Sequence, residues 1–328
     1  MRFRTLQQLV ALCEQENKTL GRLMLEEQAK ESGKDEQEVF RKMSEYYAIM
    51  KDAVRKGLTE DTTSRSGLTG RDAQRVMTYI GEHEASVGQV AAEAMANALA
   101  VSEVNASMGR IIATPTAGSC GIIPGVFVSS QNRFGWDDDT MTYALFAAGA
   151  IGYVIANNSF VSGAEGGCQA EVGSAIGMAA GAMAELRGGT PSQAAHAVGL
   201  ALKNTLGLIC DPVGGLVEIP CIVRNGFGAV NALAAADMAL AGVRSVIPSD
   251  EVIQVMLEVG MSMPEKHRET AKGGLAQTPT GKKIMDSLYR KGAPKQSSGK
   301  QSDGATGPAP ADADKAGGAA EHAADPEG

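Results

Sequence analysis

Three cysteines stand in glycine- and proline-rich sequence: Gly-Gly-Cys168-Gln, Leu-Ile-Cys210-Asp-Pro and Ile-Pro-Cys221-Ile. Thiolates bind iron and iron-sulfur clusters, and a cubane cluster offers four iron corners. Three cysteines would leave one iron open to act as a Lewis acid, which favours catalysis over electron transfer. Ten residues with two prolines and a glycine pair separate Cys210 from Cys221, so the segment cannot be one helix and can fold back on itself. Cys168, 42 positions before Cys210, is expected to open a helix whose N-terminus would stabilise a thiolate. The plainer alternative is that all three are buried core thiols, since free cysteine is among the most buried residue types.

The elements that must position these thiols read as helices. Thr5 to Lys56 carries apolar residues at helical spacing, broken at Ser32-Gly33-Lys34-Asp35, which predicts two N-terminal helices within residues 1–57. Residues 58–71 hold turn formers and hydroxyls without periodicity and read as a loop whose hydroxyls could face the site. Ala-rich stretches at Gly88 to Met108, Ala144 to Ala156, Gly173 to Leu186, Ala194 to Leu202 and Gly228 to Ala241 predict closely packed buried helices. Gly-rich connectors at Ala113 to Gly125, Ser162 to Gly167, Gly207 to Pro220 and Gly273 to Gly281 are where chemistry is expected, because glycine lets backbone amides approach a ligand. The fold class is therefore mainly α, a helical bundle-like domain over residues 1–290. Residues 291–328 are rich in Ala, Gly, Pro and Asp and are expected to form a disordered tail.

The chain has 328 residues, 44% hydrophobic, and a net charge of −8. With no basic run interleaved with aromatics, a nucleic-acid surface has no basis, and a small-molecule substrate is expected. Five cysteines fit a reducing cytosol better than a disulfide framework. The short apolar stretch after Met1 is not a signal peptide, and the apolar run Met141 to Ala156 is short for a bilayer span, so no membrane segment is expected.

Four long motifs carry a resemblance. They are Thr114-Pro-Thr-Ala-Gly-Ser-Cys-Gly-Ile-Ile-Pro124, Gly163-Ala-Glu-Gly-Gly-Cys-Gln-Ala-Glu-Val-Gly173, Lys203-Asn-Thr-Leu-Gly-Leu-Ile-Cys-Asp-Pro-Val-Gly-Gly-Leu-Val-Glu-Ile-Pro-Cys-Ile-Val-Arg-Asn225 and Glu269-Thr-Ala-Lys-Gly-Gly-Leu-Ala-Gln-Thr-Pro-Thr-Gly281. The chain resembles, over roughly residues 1 to 290, the alpha chain of the two-chain, iron-sulfur-dependent bacterial L-serine dehydratases. The resemblance implies that Cys168, Cys210 and Cys221 ligate a [4Fe-4S] cluster. It also implies elimination of water from L-serine to give pyruvate and ammonia, without pyridoxal phosphate. Lys203, the one candidate for a Schiff base, is expected to be structural.

The Thr114 to Gly121 loop offers hydroxyls on Thr114, Thr116 and Ser119 beside Gly118 and Gly121, suited to a carboxylate and an amino group. These residues, with Asn204, are the substrate-binding candidates, against the plainer reading of a turn and helix cap. Cys120 receives no ligand role, and Cys13 reads as core. His83, His196, His267 and His322 have no metal spacing, and none adjoins a cluster cysteine in sequence. Single-chain relatives carry a Ser-Ser-Ser-His-Thr type motif and a terminal cysteine ligand; neither occurs here, so the resemblance implies a beta-chain partner that supplies the base. The competing readings are an L-cysteine desulfidase-type lyase and a noncatalytic iron-sulfur sensor.

Overall fold

The protein is described here by a computed structural model covering residues 1–292. Among these residues there are thirteen α-helices and no strand. The first three are α1 (Leu6–Glu16), α2 (Leu20–Ser32) and α3 (Glu36–Thr59). The N-terminal region thus holds three helices where the sequence reading expected two. The extra break falls at Asn17, which takes a left-handed conformation that closes α1, and at Thr19, whose hydroxyl caps the next helix by accepting from the Arg22 amide. The Ser32–Asp35 break lies where expected, with Gly33 at φ 66°.

The loop over 60–71 leads to α4 (Asp72–Glu82), then α5 (Gln89–Ala106), α6 (Ile122–Phe134) and α7 (Asp138–Asn158). A single turn, α8 (Gly163–Gly166), precedes α9 (Ser174–Leu186) and α10 (Pro191–Lys203). The remaining helices are α11 (Cys221–Leu240), α12 (Ser249–Ser262) and α13 (Pro279–Gly292). Helix α13 runs two residues into the stretch assigned to the tail; the rest of that stretch lies outside the described residues.

The core is built on α7 and α9. Met141, Leu145, Phe146, Ile151, Val154 and Ile155 of α7 are buried, and α9 is apolar or small on nearly every face from Ser174 to Ala184. Helix α7 is longer than the apolar run within it and would be long and apolar enough to cross a membrane by length and composition alone, but 61% of its apolar window is buried inside the protein. In the fold it packs between α2, α3 and α9 as a core helix. Alanine and glycine let these axes approach closely while favouring or tolerating helix. At Gly121 and Gly125 the start of α6 lies directly on α5: a Cβ on Gly121 would strike the Ala98 carbonyl, and one on Gly125 would lie 2.7 Å from the Ala94 carbonyl. That crossing fixes the loop before α6, and with it the Thr114–Gly121 segment.

Candidate functional site

The cysteine site lies where two helix starts meet the connector that carries Cys210. Cys168 opens the helical stretch that passes through a five-residue π-helical turn, Gln169–Gly173, into α9. Gln169 is fully buried and acts as a clamp: its Oε1 accepts from the Gly207 amide at 2.9 Å, its Nε2 donates to the Met256 carbonyl at 2.9 Å, and its own amide donates to the Leu208 carbonyl at 3.0 Å. The Gly207–Cys210 connector is thereby drawn across the turn that follows Cys168. Cys210 is held from the other side by the Glu265–Glu269 segment. Its amide donates to the His267 carbonyl at 2.8 Å, and its carbonyl accepts from the Glu269 amide at 2.9 Å. Cys221 begins α11.

The result is a buried donor group. The Sγ atoms of Cys168 and Cys210 and a carboxylate oxygen of Glu171 all lie within 4.8 Å of one another. Cys221 is also buried and close enough for Cys168 and Glu171 to act on it electrostatically. The Cys210 thiol donates to Cys168 and holds the Cys168 thiol below its usual range against the cost of burial, helped by the Arg224 guanidinium; the same bond pushes Cys210 up. Burial, then the neighbouring Cys168, pushes Cys221 up. Burial also raises Glu171, with the nearby Glu269 adding to it. Arg224 is fixed by Nη1 donating to the Ile209 carbonyl at 2.8 Å and Nη2 donating to Asp211 Oδ1 at 2.9 Å. Asp211 in turn accepts from the Leu275 amide at 2.8 Å, tying the Gly273–Gly281 motif to the site.

The Thr114–Gly121 loop joins this group through Glu171. Thr116 Oγ1 donates to Glu171 Oε1 at 2.7 Å, and Gly118 packs so closely that a Cβ there would lie 3.1 Å from Oε2. Asn225 of α11 anchors the loop: its Nδ2 donates to the Gly118 carbonyl at 2.8 Å and to the Cys221 carbonyl at 2.9 Å, and its Oδ1 accepts from the Gly121 amide at 2.9 Å. Ser119 is spent within the loop, donating to the Thr114 carbonyl at 2.9 Å. Thr114 Oγ1 is buried and has no hydrogen-bond partner among the described residues. Thr116 and Gly118 therefore reach the donor group, Thr114 presents an unspent hydroxyl, and Ser119 and Gly121 hold the loop's shape. Asn204 is exposed at the end of α10, in a groove of about 500 Å³ shared with Arg224, Phe227 and Asn231.

Other expectations also find their places. The loop hydroxyls of Ser66 and Thr69 donate to Glu218, at 2.6 and 3.2 Å, and so brace the chain between Cys210 and Cys221. Lys203 is the last residue of α10 and donates to Ser245 Oγ at 2.7 Å. Cys13 lies in the main core, and Cys120 packs with Ala53, Val54, Val101 and Val104. His267, remote from the cysteines in sequence, is their neighbour in space through its backbone, while its ring lies against Gly273. His322 is outside the described residues.

Three buried thiols and a carboxylate suit an iron-sulfur cluster by donor chemistry, since thiolates are its usual ligands. The wider comparisons agree with the motifs. Residues 15–276 match the family described as "Serine dehydratase alpha chain". The "Probable L-serine dehydratase, alpha chain" of Bacillus subtilis (strain 168) is 47% identical over 287 residues, covering 88% of this chain and 95% of that protein. The "L-serine dehydratase, alpha chain" of Peptoniphilus asaccharolyticus is 42% identical over 288 residues, covering 88% and 99%. In the "L-serine dehydratase" of Streptomyces coelicolor the match, 43% identical over 280 residues, takes in 60% of a longer protein. With the match running through every segment that builds the site, the chain belongs to the serine dehydratase alpha chain family.

Proposed function

We propose that this chain is the α chain of a two-chain lyase that removes water from L-serine to give pyruvate and ammonia. In this reading Cys168, Cys210 and Cys221 hold a [4Fe-4S] cluster, and a β chain completes the site and supplies the base. The observation that carries it is the convergence of the Cys168 and Cys210 thiols with Glu171 in one buried group. When bound, the cluster supplies a Lewis-acidic iron, which makes hydroxide a tolerable leaving group.

The chain's own residues do the rest. Thr116 and the unspent Thr114 hydroxyl offer hydrogen bonds to the polar groups of a small amino acid. Glu171 gives the site a negative group suited to a substrate ammonium. The buried Arg224–Asp211 pair keeps one fixed positive charge beside Cys168, favouring its thiolate. The aminoacrylate released on elimination tautomerises and hydrolyses in water. A reducing cytosol is the compartment in which five unpaired thiols persist.

The test is iron and acid-labile sulfide per chain after anaerobic purification, with pyruvate formation followed after a β chain is added. About four irons per chain and serine-dependent pyruvate are expected. A cluster without turnover would favour the sensor reading, and sulfide release from L-cysteine outpacing pyruvate from L-serine would favour the desulfidase. Absence of iron after anaerobic reconstitution would leave the cysteines as core residues.

A further inference from the structure

Glu171 is a buried carboxylate without a cation. It is 7% exposed, and among the described residues it forms no ion pair. The Arg224 guanidinium beside Cys168 is spent on Asp211 and on the Ile209 carbonyl. Buried carboxylates are costly unless paired or bound to a metal. One oxygen, Oε1, accepts from Thr116. The other, Oε2, lies between two glycines: a Cβ on Gly163 would be 2.8 Å from it and 3.0 Å from Cys210 Sγ, and a Cβ on Gly118 would be 3.1 Å away. Only hydrogen at both positions leaves Oε2 unobstructed beside the cysteine sulfurs. Across the π-helical turn, Cys168 Sγ and a Glu171 carboxylate oxygen lie within 4.8 Å of each other.

Resting on the reading above, we propose that Glu171 is this chain's fourth cluster ligand, its carboxylate bound to the open iron until substrate takes its place. Three thiolates and one oxygen give one donor per corner. The carboxylate is the harder and weaker ligand for a sulfide-bound iron, so that corner is the exchangeable one. When a substrate oxygen binds, the iron–carboxylate bond breaks, and Glu171 keeps its hydrogen bond from Thr116. No electron is transferred and no other reactant is needed.

The experiment compares the full-length chain with Glu171→Gln and Glu171→Asp. Each is reconstituted anaerobically, and iron-57 is reinserted at the labile corner. Cluster content of the unsubstituted chain is measured first; if it holds none, the functional reading fails and not this assignment alone. With a cluster present, Glu171→Gln should shift the labile-iron Mössbauer doublet and release that iron several-fold faster on mild oxidation, read as the three-iron EPR signal. A doublet and a release rate matching the unsubstituted chain would overturn the proposal. If Glu171→Gln assembles no cluster while its circular dichroism is unchanged, Glu171→Asp decides. Restored assembly supports the carboxylate as ligand, and failure in both variants overturns it in favour of a packing role.

Discussion

Asn225 Nδ2 donates to the Gly118 carbonyl at 2.8 Å and so fastens the loop carrying Thr116 to the helix that begins at Cys221. The same amide group also serves the Cys221 carbonyl and the Gly121 amide, all of it buried. Asn225→Ala strands two buried backbone groups, the Gly118 carbonyl and the Gly121 amide, each costing about 1–3 kcal/mol when left unpaired, while the Cys221 carbonyl keeps its α11 helical bond. With some relaxation, a loss of about 3 kcal/mol is expected, lowering the melting temperature by about 5 °C in a domain of this size. Thermal unfolding of the two proteins at one pH checks this; a drop of under a degree would remove Asn225 as the anchor.

Thr116→Val keeps the shape of the side chain and deletes the donor to Glu171. Cluster content should be unchanged, while the Michaelis constant for L-serine rises on the order of tenfold, the effect of about 1.4 kcal/mol. Parallel iron analysis and steady-state kinetics separate the two effects. A variant that lost iron instead would make Thr116 a support of the cluster site.

The bundle was legible because its Ala-rich stretches have few alternatives to helix, and α5, α9 and α10 lie within two or three residues of their expected limits. What escaped notice depended on distance or on quieter signals. Helix α4 lacks a capping side chain of its own: its N-terminus is held by Glu103, which accepts from the Asp72 amide at 2.6 Å across 31 residues of sequence. The break before α2 uses Asn17 and Thr19 rather than glycine or proline, and that pair was readable as a left-handed stop followed by a cap. The cysteine trio and the Thr116 loop were visible in their motifs, but Glu171 was not singled out. Its signal was the spacing from Cys168, yet only the fold brings Thr116, Gly118 and Gly163 around it.

Cys210→Ser should abolish most cluster absorbance, whereas Cys13→Ser and Cys120→Ser should retain it. Cys13 is buried on α1 and Cys120 packs among Ala53, Val54, Val101 and Val104, so neither joins the Cys168–Cys210–Glu171 group. Each core serine buries a hydroxyl in an apolar setting and should cost about 1–3 kcal/mol of stability. Visible absorbance and iron content, measured beside the unfolding curve, distinguish ligand from core. Equal cluster loss in all three would reject the assignment.

Gly163→Ala is the sharpest steric test of the site. The added methyl would lie 2.8 Å from Glu171 Oε2 and 3.0 Å from Cys210 Sγ, closer than non-bonded atoms settle. Overpacking of this kind costs about 1–3 kcal/mol, and here it falls on two groups of the donor set. Cluster content should fall while circular dichroism keeps its helical signature. Full cluster retention would show that the Gly163 backbone can move away without disturbing the site.

Glu185 links pH to the packing of the N-terminal helices. Its carboxylate accepts from the Leu20 and Gly21 amides, at 2.5 and 3.1 Å, at the start of α2, and burial raises it from 4.5 to about 6. The folded protein therefore holds this proton more tightly than the unfolded chain does. The contribution to stability is fullest below about pH 4.5, declines as pH rises to about 6, and is constant above. A shift of this size corresponds to about 2 kcal/mol. The stability difference between the unsubstituted protein and Glu185→Gln should accordingly fall by about that amount from pH 4 to pH 7, read from denaturant unfolding at several pH values. A difference that stayed flat would mean that the two amide bonds cancel the burial cost, and one that rose would mean that they outweigh it.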